Sequence, residues 1–306
     1  MAANINRSNI AKELEPGLNA IYGMEYDRYE REHEGMFEVE RSSRAFEEEV
    51  RFTGFAGAVN KAEGAAYTFA TAREGEVSRY EHETIAYGFA ITQEAIEDML
   101  YDSLSKRLTK ALARSMSHTK QVKAANVLNN AFSSSYLGGD GVALCSTAHV
   151  NPDNSTYANK PTTDVDLSEA ALEDALIAIS QFTDEVGIPI AVQARRLVVH
   201  SQNVFEADRL LGGDKMVRPG TSDRDHNAIL NTGMLPGGYM VNHRLTDPDA
   251  WFLLTDAPDG LKHFERVAMA TKTYVEDNTG NICYVARERY SFGWSEPRGV
   301  YASQGA

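Results

Sequence analysis

The residues best suited to chemistry in this chain are its two cysteines and a few histidines and carboxylates. Cys145 and His149 stand in the segment Cys-Ser-Thr-Ala-His, which could form half of a metal site. No second Cys/His pair of suitable spacing exists in the sequence, and a structural zinc site takes about four ligands. Two thiols in a chain without an export signal are also more often free than bridged. We therefore expect no metal site and no disulfide.

Other patterns that accompany catalysis or nucleotide binding are weak. Asp225-His226 places a carboxylate next to a histidine, but its polar surroundings favour a surface histidine. Glu288 and Asp277 lack a spacing that suits acid–base catalysis. The glycine-rich segment 138–141 lacks the Walker spacing GxxxxGK[ST] and reads as a turn, and the motifs GxSxG, HExxH and GxGxxG are absent. The sequence predicts no catalytic residue, no cofactor and no metal.

Composition and charge limit the function further. The chain of 306 residues is long enough for two packed regions, and its 42% hydrophobic and 24% charged residues are ordinary for a folded soluble protein. A net charge of -14 argues against a broad basic face that grips nucleic acid. No apolar run approaches the roughly 18 residues that span a bilayer, and the first residues lack the apolar core of a signal peptide. We expect neither membrane insertion nor export.

Two unusually long elements are predicted to carry the architecture. An apolar stripe from Leu104 to Phe132 predicts one helix over residues 102–133, about 48 Å long at ~1.5 Å per residue. Residues 282–294 alternate like a strand, roughly 43 Å long at ~3.3 Å per residue. Both exceed the usual ~11–12 residues of a helix and ~5–6 of a strand. We expect the apolar face of the strand, which Glu288 interrupts, to pack on the helix in a flat, elongated molecule.

The predicted long helix has a basic side, which is unusual in an acidic chain. It carries Lys106, Arg107, Lys110, Arg114, Lys120 and Lys123. Such a run is most often a solvated face, and no aromatic residues interleave with it to stack on single-stranded nucleic acid. Residues 25–49 hold ten acidic and four basic residues, so they could pair with it within the subunit or across an interface. Residues 1–35 form either a segment with a solvated helix face or disorder, or an extended arm that orders only against a neighbouring subunit.

Residues 46–91 predict a long two-stranded excursion. Phe46, Val50 and Phe52 share one face of a first strand, and residues 85–91 alternate at the end of a second. The Gly- and Ala-rich stretch 54–76 between them is too small-sided to form a core, and an isolated hairpin is marginally stable. It is either a mobile surface loop or a projection that lies on another subunit. Its candidate contact residues are Phe55, Lys61, Tyr67 and Phe69.

A region of mixed short elements begins near Asp166. Asp166 and Glu169 resemble a capping box, and the following helix has an apolar stripe formed by Leu172, Ala175, Leu176 and Ile179. Further elements are predicted as strands over 196–200, 239–242 and 251–254, a helix over 202–211, a mobile polar loop over 214–232 and a strand over 263–275. Thr92 is a plausible N-cap for a helix that precedes residue 102. Short helices and strands of this kind indicate an α+β fold.

The order of these elements and two sequence stretches resemble a known family. VLNNAFSSSYLGGDGVALCSTAHVNPDNS (127–155) and ICYVARERYSFGWSEPRGVY (282–301) are similar to segments of the major capsid proteins of tailed bacteriophages (Caudoviricetes), which have the Hong Kong 97 (HK97)-like fold. The resemblance implies an α+β capsid fold divided into an N-arm (1–35), an E-loop (36–91), a peripheral domain (92–165 and 261–296, with the spine helix at 102–133) and an axial domain (166–260 and 297–306).

The resemblance also implies a function. It implies a non-enzymatic virion protein that self-assembles as hexamers and pentamers, in the host cytoplasm, into an icosahedral shell around double-stranded DNA that it does not read. A portal and possible decoration proteins are implied partners; since no long scaffolding segment precedes the arm, we expect a separate scaffold or prior removal of that segment. The expected inter-subunit contacts are Phe55, Lys61, Tyr67, Phe69, Lys106, Arg107, Lys110 and Arg114.

Some relatives cross-link their E-loop through a lysine, and Lys61 is the only lysine in this loop. We expect no cross-link, because no acidic catalyst or asparagine partner can be located in the sequence. Two alternatives to a phage capsid stay open. An encapsulin-type nanocompartment shell would share the fold but enclose enzymes, so nucleic acid in purified particles would separate the two. An uncharacterised soluble enzyme would stay a monomer or small oligomer in light scattering.

Overall fold

The structure, a computed structural model, describes residues 7–92, 94–95, 101–152, 155–212, 215–217, 224–226 and 228–306. Its helices are α1 (Arg7–Tyr26), α2 (Tyr101–Asn129), α3 (Glu169–Ser180), α4 (Val204–Leu211) and α5 (Ala228–Thr232), with 3-10 helices at Glu32–Gly35, Ser201–Asn203 and Pro297–Gly299. Its strands are β1 (Glu38–Arg41), β2 (Phe46–Phe52), β3 (Glu74–Glu81), β4 (Glu83–Ile91), β5 (His149–Val150), β6 (Thr156–Tyr157), β7 (Ala194–Val199), β8 (Lys215–Val217), β9 (Arg224–His226), β10 (Tyr239–Val241), β11 (Trp251–Thr255), β12 (Leu261–Val275), β13 (Ile282–Trp294) and β14 (Val300–Ser303).

The main sheet has the strand order β1-β12-β13-β4. β13 spans Ile282–Trp294, as its alternation predicted, and pairs antiparallel with both β12 and β4, while β1 joins β12 in parallel. Its inner face packs on α2, because Tyr284 and Ala286 share a buried cluster with Leu112 and Met116. The predicted packing of the long strand on the long helix is therefore confirmed.

Helix α2 is one continuous element of 29 residues, about 44 Å long at ~1.5 Å per residue. It ends at Asn129 rather than at the predicted residue 133, because turn hydrogen bonds such as Ser133 N to Asn130 O replace the helical pattern there. Ahead of it, the backbone N–H of Ala95 donates to Thr92 Oγ1 at 3.4 Å, as expected of an N-cap. The predicted helix behind that cap covers residues 93 and 96–100, which lie outside the described residues.

The first helix has a solvated face, as one interpretation of the arm predicted, but its other face packs on its own subunit. Disorder, and order only against a neighbouring subunit, are therefore wrong for residues 16–26. Leu18, Tyr22 and Tyr26 recur every four residues along α1 and are buried against α2 and β13. Asn19 Oδ1 accepts hydrogen bonds from Tyr284 Oη at 2.8 Å and Thr271 Oγ1 at 2.7 Å. The arm is thus held by apolar burial and by hydrogen bonds to the main sheet.

The predicted two-stranded excursion is in fact three strands. β2 and β3 pair only with each other, and β4 leaves them to become an edge of the main sheet. The break falls at His82, a buried residue whose Nδ1 lies 3.0 Å from Ser291 Oγ and whose Nε2 lies 2.9 Å from Ser42 Oγ. The hairpin β2–β3 is therefore shorter than residues 46–91 suggested.

The second sheet has the order β10-β7-β11-β14 and encloses a core of its own. The predicted stripe of α3 is confirmed, because Leu172, Ala175, Leu176 and Ile179 are all buried in that core. The N-cap is Ser168 rather than the predicted Asp166, since the Ser168 side chain accepts a hydrogen bond from Ala171 N. The last strand, β14, returns along the edge of β11.

Two smaller predictions also have outcomes. The mobile loop predicted over 214–232 is wrong where the structure describes it, because β8 and β9 pair there and α5 follows them. The turn predicted at 138–141 is confirmed: Gly141 has a φ of 72°, and Leu137 and Ala143 form a β-bridge. None of the described helices has both the length and the hydrophobicity that crossing a membrane requires.

Candidate interaction surfaces

The hairpin β2–β3 has two chemically different faces. The sequence of β2, Phe-Glu-Glu-Glu-Val-Arg-Phe, alternates between them because successive side chains of a strand point to opposite sides. The outer face exposes the apolar residues Phe46, Val50, Phe52 and Val77. The inner face turns Glu49, Arg51 and Tyr80 toward the body of the protein, where each finds a partner. The hairpin is therefore attached on one side and uncovered on the other.

The tip loop, which we define as residues 53–73, has no helix or strand. Thr53 and Arg73 close its base with backbone and side-chain hydrogen bonds. Three of the predicted contact residues are strongly exposed here, with relative accessibilities of 61% for Phe55, 76% for Tyr67 and 91% for Phe69. The fourth, Lys61, places its Nζ 5.2 Å from the centroid of the Tyr67 ring. The structure thus brings these four residues onto one exposed loop.

A buried lysine holds the middle of the hairpin. Lys262 Nζ lies 2.5 Å from Glu49, 3.0 Å from Glu40 and 2.7 Å from Asp259, although the lysine side chain is only 4% exposed. Burial alone would lower the pKa of Lys262, but its hydrogen bonds to these carboxylates outweigh that effect and raise the pKa. The lysine therefore stays charged and ties β2 to β1 and β12.

The basic residues of α2 differ along the helix, and those of its second half contact carboxylates of the same subunit. Arg114 Nε lies 2.5 Å from Glu25, Lys120 Nζ lies 3.5 Å from Glu288, and Lys123 pairs with Glu83. The arm thus supplies a partner for this helix within the subunit, as one of the two sequence-based alternatives proposed. Lys106, Arg107 and Lys110 are exposed on the first half of the helix. Of the predicted contacts on α2, Arg114 is therefore engaged in its own subunit.

Glu288, the exception in the apolar face of β13, is explained by these contacts. It is buried, and burial raises its pKa, while Lys120 and the hydroxyl of Tyr26 act in the opposite direction. Tyr26 Oη donates to Glu288 Oε2 at 3.3 Å. The carboxylate therefore joins α1, α2 and β13 at one buried point.

The outer face of the main sheet carries a basic surface that sequence reasoning missed. Lys272, Arg287 and Arg289 lie on this face in the register of β12 and β13. Arg266, at the bulge of β12, lies near them, because its Nε donates to Arg44 O while Arg289 donates to the adjacent Ala45 O. Neighbouring positions on β4 are small, namely Thr84, Ala86, Gly88 and Ala90. In the sequence this surface is visible only as Arg287 and Arg289, on the strand face opposite the apolar one, and no function was predicted for that face.

His149 and Cys145 have structural surroundings. His149 is buried, with Nδ1 2.5 Å from Asp140 Oδ2 and Nε2 3.1 Å from Asn159 Oδ1, so it joins the glycine-rich turn to the segment around β6. Burial raises the pKa of the Cys145 thiol. No group of His, Cys, Asp and Glu side chains in the described part of the chain could hold a metal ion.

Several solved structures are similar to this chain in fold. The chain is similar to a virus-like particle from Pyrococcus furiosus (12% identity, TM-score 0.52, covering 94% of this chain and 98% of that one). It is similar to the capsid of a native GTA particle (13%, 0.53, 88% and 88%) and to a chain of Mycobacterium phage Che8 (14%, 0.50, 92% and 92%). At such identities these likenesses establish the fold alone, which is α+β and HK97-like.

The family follows from the sequence itself. The family model described as phage capsid protein matches residues 75–303, well over half of the chain, so the chain belongs to the phage capsid protein family. It is therefore a shell-forming protein of the virion, and family and fold favour a structural role over an enzymatic one. No curated protein shows a significant sequence match.

Proposed function

We propose that this protein is a major capsid protein that assembles as hexamers and pentamers into an icosahedral head around double-stranded DNA. One observation carries the proposal beyond the family. The tip loop exposes Phe55, Tyr67 and Phe69 and has no core beneath it, and exposed apolar groups of this size usually mark interaction sites. A neighbouring copy of the chain is the partner that a closed symmetric shell supplies to every subunit.

The division into parts that the resemblance implies fits this proposal. Residues 1–35 serve as N-arm and 36–91 as E-loop, of which the hairpin β2–β3 projects while β1 and β4 join the main sheet. Residues 92–165 and 261–296 form the peripheral domain, and residues 166–260 and 297–306 form the axial domain around the symmetry axes. Assembly takes place in the host cytoplasm with a separate scaffold and a portal. The exposed bases Lys106, Arg107 and Lys110 contact a neighbouring subunit, and the basic surface of the main sheet is covered by one as well.

The central test removes the tip loop. Replacing residues 55–71 with an Asn-Gly turn keeps the pairing of β2 with β3, so the subunit should still fold. Shells should then be absent from electron micrographs and from light scattering. A matched control replaces the loop by its own residues in shuffled order, which preserves length and composition. Normal shells from the Asn-Gly variant would reject the role assigned to the loop.

The basic helix face is tested by charge. Reversing Lys106, Arg107 and Lys110 to glutamate should reduce shell yield more than subunit solubility, whereas changing both lysines to arginine keeps the charge and should preserve assembly. Shells made during infection, treated with nuclease and then opened, should release genome-length DNA. Protein cargo without DNA would favour the nanocompartment alternative instead.

A further inference from the structure

We call the described part of residues 166–260 and 297–306, which contains the second sheet and its helices, the second-sheet region. A cavity separates the hairpin β2–β3 from this region. The cavity has a volume of about 570 Å³. The hairpin lines one side with Glu49 and Ser78 of its inner face, and the segment before β7 lines the other with Ile190 and Val192. A hairpin that lies over open space has room to move, and its position then depends on how it is attached.

The attachments form a series along the hairpin. Nearest its root, Tyr80 Oη lies 2.5 Å from Ser295 Oγ, and the Tyr80 ring packs edge-on against Phe264 at 4.8 Å. Next comes Glu49 with its ion pair to Lys262. These two attachments reach only the main sheet and the end of β13. The third attachment, at Arg51, lies nearest the tip loop.

Arg51 is the attachment that crosses the cavity. Its Nε and Nη2 donate to Glu185 Oε1 at 3.0 and 2.8 Å, and Glu185 lies in the loop that follows α3. Arg51 Nη2 also lies 2.7 Å from Glu296. Both Arg51 and Glu185 are largely buried, with side-chain accessibilities of 13% and 15%, so solvent screens this pair less than an exposed one.

The charges around Arg51 make the contact sensitive to its loss. Arg298, whose side chain is 2% exposed, lies 3.0 Å from Glu296 and 3.6 Å from Glu185, and its guanidinium stacks 3.8 Å above the Tyr157 ring. Glu76 on β3 lies 3.8 Å from Arg51. Without Arg51, three carboxylates would face one guanidinium, and Glu76 would be repelled from Glu185 and Glu296.

We propose that the Arg51–Glu185 contact is a latch that sets the angle of the hairpin over the cavity. When the contact is made, the tip loop follows the position of the loop after α3. When it is broken, the hairpin turns about the attachments at Tyr80 and Glu49. The latch rests on the proposed function only in its consequence, because it would couple the second-sheet region to the loop that reaches a neighbouring subunit.

Distances within single unassembled subunits test the latch. Spin labels at Glu74→Cys on β3 and Glu173→Cys on α3 report the distance from the hairpin to the second-sheet region by double electron–electron resonance. Both positions are exposed, and the native Cys145 and Cys283 are buried. The unmodified latch should give one narrow distance population. Glu185→Gln, which keeps shape and removes charge, should add a second, longer population of a third or more, and Arg51→Met should do the same.

The control breaks an ion pair on the outer face of the same hairpin. Arg79 Nη1 lies 3.8 Å from Glu48, and both side chains are about half exposed, so Glu48→Gln should leave the distance distribution unchanged. An unchanged distribution in Glu185→Gln would overturn the latch. If Arg51→Met does not fold, Glu185→Gln decides alone. Shell formation is scored separately: loss of shells with a single distance population would count against the assembly role of the loop and not for the latch.

Discussion

The second-sheet region and the hairpin β2–β3 are stabilised by different interactions. The second-sheet region encloses its own core, in which Leu172, Leu197 and Trp251 have no exposed surface. The hairpin has no core and is held on its inner face by ion pairs and by Tyr80, while its tip loop leaves Phe69 91% exposed. One region has a core within the subunit, although Phe205 and Ile177 are exposed on its surface, and the other exposes apolar side chains with no core behind them.

The difference shows where the subunit keeps free energy available for association. Burying apolar surface is worth roughly 25 cal/mol per Å². The second-sheet region has already buried its core on folding, so only side chains outside that core, such as Phe205 and Ile177, can still gain burial from a neighbour. The tip loop buries almost none of its apolar surface on folding, so contact with a second subunit can still stabilise it. The same chain therefore combines a pre-formed body with an extension that gains most from assembly.

The largest expected effect is on the free energy of unfolding, and it should distinguish a buried phenylalanine from an exposed one. Phe252 on β11 is 2% exposed and Phe69 in the tip loop is 91% exposed. Phe252→Ala should lower the free energy of unfolding of the unassembled subunit by about 3–5 kcal/mol, because it removes buried contacts and leaves a cavity. Phe69→Ala should change it by less than about 0.5 kcal/mol, as is usual for exposed positions. Urea denaturation measures both.

Assembly should reverse the order of these two variants. Phe69→Ala subunits should be as stable as the wild type and yet give fewer shells at equal concentration. Equal shell yield together with unchanged stability would show that the exposed ring serves neither folding nor association, and the contrast between the two regions would then lose its functional meaning.

Acid should act on the main sheet before the second-sheet core. Among the residues of the second-sheet region whose side chains the structure describes, no histidine is buried, whereas His33 and His263 are buried in the contact between the 3-10 helix Glu32–Gly35 and the main sheet. Burial, aided by the positive charge of Lys120, lowers the pKa of His33 from 6.5 to about 4 and that of His263 to about 3. Both rings are therefore neutral in the folded protein at neutral pH.

The sign of the pH effect follows from these values. In the unfolded chain His33 becomes protonated below about pH 6.5, whereas in the folded chain it becomes protonated only near pH 4. The free energy of unfolding therefore falls as the pH falls from 6.5 to 4. For His33 alone the loss is about 3 kcal/mol at ~1.36 kcal/mol per pKa unit. His33→Phe should flatten the dependence measured by urea denaturation between pH 7 and 4, while substitution of the exposed His118 by Gln should leave it intact. A wild-type slope in His33→Phe would contradict this account.

The sequence predicted elements whose pattern is local. β13 and the stripe of α3 were found because every informative residue, such as Tyr284 or Leu176, lies within one element and repeats at its period. The stripe of α1 was missed, although Leu18, Tyr22 and Tyr26 are four residues apart, because the surrounding arm is strongly polar. Composition outweighed spacing there.

Contacts between distant residues could not be predicted from one sequence. The hairpin ends at His82 because Ser42 and Ser291 bind its ring, and Arg51 meets Glu185 across 134 positions of chain. Nothing in the local pattern marks these pairs. The candidate contacts of the tip loop were predictable as exposed, since small residues surround them, whereas the basic surface of the main sheet needed the register of three strands.

The junction between the two sheets offers a smaller test, with glycines. A Cβ on Gly299 would lie 2.6 Å from Gly260 Cα, so the two chain segments that link the sheets cross with no room for a side chain. In contrast, a Cβ on Gly57 in the tip loop would meet nothing within 4 Å. Gly299→Ala should cost about 1–3 kcal/mol of stability through overpacking. Gly57→Ala should be neutral or slightly stabilising, since it only restricts the unfolded chain. Calorimetry on both variants decides; equal melting temperatures would mean that the crossing is loose.

The smallest expected effect separates the two faces of the hairpin itself. Glu48 and Glu49 are adjacent on β2, but Glu48 pairs with exposed Arg79 at 3.8 Å, and Glu49 pairs with buried Lys262 at 2.5 Å. Glu49→Gln should cost about 1 kcal/mol, less than a fully broken buried pair, because Glu40 and Asp259 still neutralise Lys262. Glu48→Gln should cost less than about 0.5 kcal/mol, as exposed pairs do. Hydrogen exchange of β2 and β3 amides would show the difference locally, with faster exchange in Glu49→Gln only. Equal exchange in both variants would mean that apolar packing around Tyr80 holds the hairpin and that its inner ion pairs do not.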